Sequence, residues 1–362
     1  MKNIRGKIII EICMMLILIF GVGAVAYPFV GNTVMSYLDQ QIIDKAQAKA
    51  NREDKQNIAA YQKKMQAENA RLALEGINAG SDPFSETEEE VDFAKNPDYL
   101  EEHTIGSISI PQIDVRLPIF DRTSDFFLQR GASLLEGTSY PIGGASTHSV
   151  ISAHRGLSNA KFFTDLPELV AGDLFYIEIG GNTFAYKVVK TQVVAPQDTD
   201  QLQIEPGKDL VTLLTCTPYM VNSHRLLVTG ERTTLPKEAQ QELTALKEKQ
   251  RSLLYLVGAC SALVVGGIGY FFWRRIKQKI IRERRYNVII NDVKKGPYQL
   301  LHKKNNKPFL VNGQPVVLVP DSEDSLMYQN LRGGKYILKG QQEQYRLWIE
   351  KINQKKFSYK NK

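Results

Sequence analysis

Two long apolar runs, Ile8–Val30 and Leu253–Trp273, partition this chain before any other feature does. Each is long enough to cross the roughly 30 Å hydrocarbon core of a bilayer as a helix. Lys2, Arg5 and Lys7 precede the first run, and Glu11 alone interrupts it, near the end where a carboxylate can snorkel. Ala24-Val25-Ala26 is also compatible with signal-peptidase cleavage, so residues 1–30 read as an anchor or a signal peptide; either exports the downstream domain. The second run is closed by Arg274, Arg275, Lys277 and Lys279, a stop-transfer pattern whose basic side stays in the cytoplasm. The expected arrangement is two-pass, in the cell membrane, with both termini cytoplasmic and the intervening domain outside. Gly258, Ala262 and Gly266 would form a small-residue stripe on one helix face, a pattern also common in membrane helices without a partner.

Net charge respects the same partition. Of 46 Lys+Arg and 39 Asp+Glu, residues 274–362 hold 21 and 7, leaving 25 and 32 before them, so a +14 tail succeeds a −7 body. Basic residues beside a membrane segment point to anionic lipid headgroups rather than nucleic acid. Two of the three cysteines, Cys13 and Cys260, lie in the apolar runs. Cys216 is alone in the soluble part, which leaves it as an inert buried residue or a reactive thiol.

Residues 31–103 begin with a helical pattern rich in Ala, Gln, Lys and Glu, with apolar positions at Ile42, Ile43, Ala46, Ile58, Tyr61 and Met65. Ala79-Gly80 and Ser81-Asp82-Pro83 stop it, and an acidic loop with Glu86 and Glu88–Glu90 comes next. That loop lacks the alternating ligand spacing of a calcium site, so a solvated charged loop is expected and no metal. Residues 104–233 change to short β-type runs: Ile105–Ile110, Val115–Phe120, His148–Ala153, Leu174–Ile179, Thr183–Ala195, Leu210–Thr215 and Leu226–Gly230. Turn residues separate them, which predicts a mainly β barrel or sandwich. A short polar helix over 234–251 leads into the membrane helix of 252–273. The tail, 274–362, reads as a basic tail or a small α+β module, with strand-like runs at Asn287–Ile290 and Val316–Pro320.

A reactive cysteine needs a partner, because a free thiol with a pKa of about 8.5 is mostly protonated at neutral pH. His103, His148, His154 and His224 are the candidates, and sequence alone does not rank them by distance. His154 ends the apolar strand Val150–Ala153 and precedes Arg155-Gly156, a strand-to-loop rim; Cys216 ends Leu210–Thr215 before Thr217-Pro218. Arg225 opens the next strand, where antiparallel pairing would bring it beside the sulfur. Taken singly, each has an ordinary structural reading: a small buried thiol, a satisfied imidazole, a solvated guanidinium.

Together, the local sequences resemble the sortase family. Thr212-Leu213-Leu214-Thr215-Cys216 matches TLxTC; Asn222-Ser223-His224-Arg225-Leu226-Leu227-Val228 is similar to the segment carrying that family's essential Arg; Ser152-Ala153-His154-Arg155-Gly156-Leu157 resembles the SGHRG-type segment around its His. The resemblance covers roughly residues 30 to 275. It implies a closed sortase-type β-barrel with short helices, preceded by an N-terminal helical lid region. It further implies a cofactor-free cysteine transpeptidase in which Cys216 is the nucleophile, His154 the acid/base and Arg225 the oxyanion stabiliser, while Thr215 helps position substrate. Asp82-Pro83-Phe84 after the helical region resembles the lid of class C, pilus-assembling sortases, which implies that Asp82 pairs with Arg225 and Phe84 covers the Cys and His. The implied reaction cleaves an LPxTG-like signal between Thr and Gly and joins it to a lysine amine of another pilin. The alternatives are a sortase that attaches single surface proteins to a cell-wall peptide precursor, and a catalytically silent membrane-tethered scaffold. The basic tail departs from the family, whose chains end soon after the second anchor; no function is assigned to it beyond contact with membrane lipid.

Overall fold

Between Thr104 and Thr233 β-branched and aromatic runs alternate with Gly, Pro, Asn and Asp, and this stretch folds into eight strands in the computed structural model, which describes residues 2–52, 55–77, 82–84 and 98–361. The strands are β1 (Thr104–Ile110), β2 (Val115–Phe120), β3 (Ala132–Leu134), β4 (Thr147–Ser152), β5 (Leu174–Ile179), β6 (Asn182–Val194), β7 (Asp209–Thr217) and β8 (His224–Thr233). They close into a barrel in the order β1-β2-β3-β4-β7-β8-β6-β5, with β1 also paired to β5. The closed barrel expected from the sequence is therefore present. Only β2–β3 and β4–β7 are parallel. β2 and β4 are buried along their whole length, with polar Arg116, Thr147, His148, Ser149 and Ser152 enclosed among their apolar residues. Three-residue β3 is absent from the sequence-based set of strands, being too short to show a period.

Ile108, Ile119, Ile151, Phe175, Ile177, Val211, Leu213 and Val228 fill the interior. Phe175 and Tyr186 stack there with centroids 5.5 Å apart and planes 14° from parallel. Gly230 of β8 makes room for this pair: a Cβ at that position would lie 2.4 Å from Phe175 Cε1.

Ahead of the barrel, α1 (Lys2–Arg52) and α2 (Lys55–Glu75) are long helices. α2 buries Met65 and Leu72, and Asn69 bonds both backbone groups of Tyr140, accepting from its N–H at 2.7 Å and donating to its carbonyl at 2.9 Å. α1 is tied to the barrel through Arg116, which is 1 % exposed; its guanidinium donates to Gln40 and pairs with Glu178 at 3.0 Å. The acidic loop around Glu86–Glu90 and the helix stop at Ala79–Ser81 lie outside the described residues. Two four-residue helices, α3 (Tyr99–Glu102) and α4 (Asp125–Leu128), flank the first strands.

After the barrel, α5 runs unbroken over Ala239–Glu283, a single helix where the sequence suggests a polar helix and then a separate span. Its start packs Ala239 and Leu243 on Tyr176 and Ala185, and the Tyr176 hydroxyl donates to Glu242 at 2.7 Å. By length and composition, α1 and α5 are each capable of crossing a membrane. At Gly258 and Gly266 a Cβ would meet nothing within 4 Å, so among the described residues nothing packs on the small-residue stripe.

The chain divides into two units, Val25–Cys260 and the combination of Met1–Ala24 with Ser261–Lys362. In the second unit Glu11 is only 2 % exposed; it accepts from Lys279 at 2.5 Å and lies 3.4 Å from Arg275, so the acid in the first apolar run is neutralised by the basic cluster that closes the second. Residues 285–361 form nine further strands, from β9 (Arg285–Ile290) to β17 (Ser358–Asn361), around Tyr286, Val288, Leu300, Leu326, Leu338 and Leu347. The strand-like run at 287–290 lies in β9, and Asn312-Gly313 turns one short hairpin. Among the described residues the module contains no helix, in place of the α+β arrangement suggested by sequence.

Gly230→Ala is expected to destabilise the barrel by about 1–3 kcal/mol through overpacking against Phe175. Gly258→Ala, inside α5 with nothing within 4 Å, is the contrasting change that should not destabilise, since alanine also favours the helix. Thermal unfolding of the purified full chain checks the pair; equal midpoints for the two variants would contradict this account of the core.

Candidate active site

β7 and β8 are joined by a six-residue turn in which Met220 and Asn222 take positive φ, and the antiparallel register pairs Cys216 with Arg225. β8 is also held from its other side by β6, with Val194 opposite Arg225. The guanidinium is therefore carried by a strand paired on both edges. Its Nη1 donates to the carbonyls of Asn222 and His224, each at 2.9 Å. That fixes one edge of the fork and leaves the Nε/Nη2 edge for another acceptor.

His154 reaches the same rim by the parallel pairing of β4 with β7, in which Ser152 sits opposite Leu214. The pairing continues one residue further, since Ala153 N–H donates to Leu214 O at 3.1 Å and Thr215 Oγ1 donates to Ala153 O at 2.7 Å. His154 thus leaves the sheet level with Cys216. Thr215, expected to help position substrate, has no exposed surface, and its hydroxyl is committed to this inter-strand bond. Arg155 clamps the rim from behind, donating to Thr217 Oγ1 at 3.0 Å and to Thr164 O at 3.2 Å. Gly156, at φ +88°, turns the chain where a side chain would be strained and would press on Tyr219.

The other histidines are occupied elsewhere. His148 is 1 % exposed; its Nδ1–H donates to Gln203 O and its Nε2 accepts from Thr212 Oγ1, both at 2.8 Å. Burial holds it neutral, with a pKa below the usual histidine value. His103 pairs with Asp121, and His224 Nδ1 bonds Ser223. The sequence does not single out Asp125, whose Oδ1 lies 3.7 Å from His154 Nε2 while its other oxygen accepts from Gln129 at 2.6 Å. One aspartate at the start of a four-residue helix carries no distinguishing sequence signal.

Asp82, Pro83 and Phe84 cover this rim. Asp82 accepts from Arg225 Nε at 2.7 Å and Nη2 at 2.5 Å, a bidentate pair on the remaining edge of the fork. The Phe84 centroid lies 5.2 Å from the guanidinium carbon and 5.5 Å from the His154 ring. Phe84 also packs on Leu135, Val150, Leu202, Leu214 and Leu227. The space left beneath Asp82 and Pro83, bounded by Leu202 and Arg225, is about 20 Å³, room for little more than one water.

Cys216 is 5 % exposed, and burial raises its thiol pKa above the usual cysteine value; Arg225 opposes the rise and Asp82 reinforces it. Burial lowers the His154 pKa, with Asp125 opposing. Both directions favour a neutral thiol beside a neutral imidazole while the lid is down. Among the described residues no group of three or more His, Cys, Asp or Glu is placed to hold a metal ion.

A sortase-domain family model matches residues 108–233. Sortase D of Bacillus subtilis (strain 168) is 30% identical over 156 residues, covering 41% of this chain and 76% of that protein. The chain belongs to the sortase family. Sortases are cysteine transpeptidases, and the fold, the motif-bearing strands and the rim all lie within the matched region or beside it. Sortase A of Bacillus anthracis is 28% identical over 127 residues, 35% of this chain and 59% of that protein, so the match spans less than two thirds of that relative. Among solved structures, sortase C-1 from Streptococcus pneumoniae is 42% identical, covering 54% of this chain and all of that one, with a TM-score of 0.48. Sortase C1 of GBS pilus island 1 is 39% identical and covers 55% and 94%, also with a TM-score of 0.48.

Removing the Asp82 carboxylate removes a negative charge that raises the Cys216 pKa, so Asp82→Ala should lower it. Thiol alkylation by iodoacetamide is then expected to show a pH profile displaced to lower pH, with the rate at pH 7 up by roughly threefold to tenfold. Superimposable profiles for the variant and the parent would show that the lid carboxylate does not act on the sulfur.

Proposed function

We propose that this chain is a class C sortase that cleaves an LPxTG-like sorting signal between Thr and Gly and joins it to a lysine amine of another pilin. The observation that carries the reading is the bidentate Asp82–Arg225 pair with Phe84 over the guanidinium. Asp82 occupies the edge of the fork that an oxyanion would need, and Phe84 lies over the guanidinium and against the His154 ring. Donor binding therefore has to lift the lid, which also removes the carboxylate holding the Cys216 pKa up.

In the lifted state Arg225 lowers the thiol pKa and a thiolate–imidazolium pair becomes accessible. Cys216 attacks the Thr carbonyl, and the Arg225 Nε/Nη2 edge stabilises the oxyanion. His154 protonates the departing glycine amine and later takes a proton from the incoming amine. Thr215 serves this chemistry by fixing the β4 rim to β7. The proposed setting is the cell membrane, with the barrel outside and both termini inside; the basic charge after Trp273 supports that orientation. The proposed partners are pilin sorting signals and acceptor lysines, with membrane lipid around the two helices.

Co-expression with candidate LPxTG pilins should give a covalent ladder that survives boiling in detergent and disappears with Cys216→Ala. A ladder that persists in Cys216→Ala, or its absence with every cognate pilin while a cell-wall precursor is acylated, would remove this reading.

A further inference from the structure

A lid-covered donor site leaves open where the second substrate enters. Separate from the small space under the lid, with which it shares no lining residue, a cavity of about 750 Å³ lies between α1 and the barrel, and its lining includes His154 itself. Met35, Ile42 and Leu157 supply apolar walls. Glu101 and Asp125 supply carboxylates beside the cations Lys45 and Arg130, and Asp39 adds a buried carboxyl group. Glu101 is already matched by Lys45 at 2.8 Å. Asp39 is 2 % exposed, and its Oδ1 has no hydrogen-bond partner among the described residues. Asp125 stands 3.7 Å from His154 Nε2, too long for a hydrogen bond but close enough for charge to act.

We propose that this cavity is the acceptor site, taking a primary ammonium on an aliphatic stem, with Asp125 as its anchoring group beside His154. The inference rests on the transpeptidase reading above. A lysine side chain matches the lining in both parts: four methylenes for the apolar walls, and a cation for the Asp125 carboxylate. The proton balance also needs an acceptor there. The ammonium gives one proton to neutral His154; the free amine attacks the thioester carbon, the C–N bond forms, and the C–S bond breaks with its electron pair returning to Cys216. The second proton leaves through Asp125 to solvent, restoring the thiolate–imidazolium pair. The acceptor thus enters past His154 through a cavity that shares no lining residue with the space under the lid, so it need not displace the donor chain.

The test uses the full chain in detergent, in a Phe84→Ala background that opens the lid, with an LPxTG peptide as donor and an N-acetyl-lysine amide as the amine probe. Mass spectrometry gives the ratio of aminolysis to hydrolysis of the thioacyl enzyme, which does not depend on how fast that species forms. Asp125→Asn should lower the ratio roughly tenfold and raise the amine concentration for half-saturation. Ile42→Trp, which fills the cavity, should lower it similarly for the lysine probe but spare hydroxylamine, which is small enough to pass. An unchanged ratio in both variants, with thioacyl enzyme present, overturns the acceptor assignment alone. Failure to form any thioacyl enzyme in the lid-opened parent overturns the transpeptidase reading and this inference with it.

Discussion

The antiparallel register of β7 and β8 is the constraint on which the site depends. It sets Cys216 and Arg225 opposite each other, and a slip of one residue would turn the guanidinium to the other face of the sheet. Pairing of β8 with β6 as well as β7 makes such a slip costly, because two ladders would break together. The parallel β4–β7 pairing then brings His154 to the same level from a distant part of the sequence. The side-by-side placement of β4, β7 and β8 is thus what turns separated sequence segments into one rim.

Electrostatics at that rim are set by what the guanidinium is bound to. Arg225 spends one edge of its fork on two backbone carbonyls, which orients it without neutralising it. The other edge is held by Asp82, and the sulfur then feels a compensated cation in a poorly solvated place. The same donors that would stabilise a developing oxyanion are therefore presented to a carboxylate while the site is closed. Exchange of one anion for another at a preorganised fork needs no rearrangement of the strand that carries it.

Much of this is legible in the chain. Seven of the eight barrel strands announce themselves as apolar runs between turn residues, because each is long enough to express a pattern; Ala132–Leu134 is not. The Cys216 and Arg225 contexts are readable because a hairpin is a local structure. Residue-level reading favours His154 over His148, because His154 ends an apolar strand at a loop rim, without ranking their distances; in the structure His148 lies within β4, buried and bonded to Gln203 and Thr212. Thr215 looks like a rim residue by position, and only the third dimension shows its hydroxyl turned into the β4 junction. Asp125 is invisible in sequence because its neighbour is His154, twenty-nine residues away. The unbroken α5 escapes a sequence reading for a different reason: its polar and apolar halves differ in composition, yet both have good helix propensity and no residue between them stops the helix.

Asp82 and Phe84 belong to the same polypeptide as the groups they cover, so they behave as a tethered competitor present at constant, high effective molarity, of the order of millimolar or more for short connections. An untethered peptide that merely fits must still outcompete that internal ligand, and dilution or protein turnover does not weaken it. Occupancy by a foreign sequence would therefore rise only above an affinity threshold written into the chain itself. Such a threshold protects the Cys216 thiol from adventitious acyl donors without requiring any separate inhibitor.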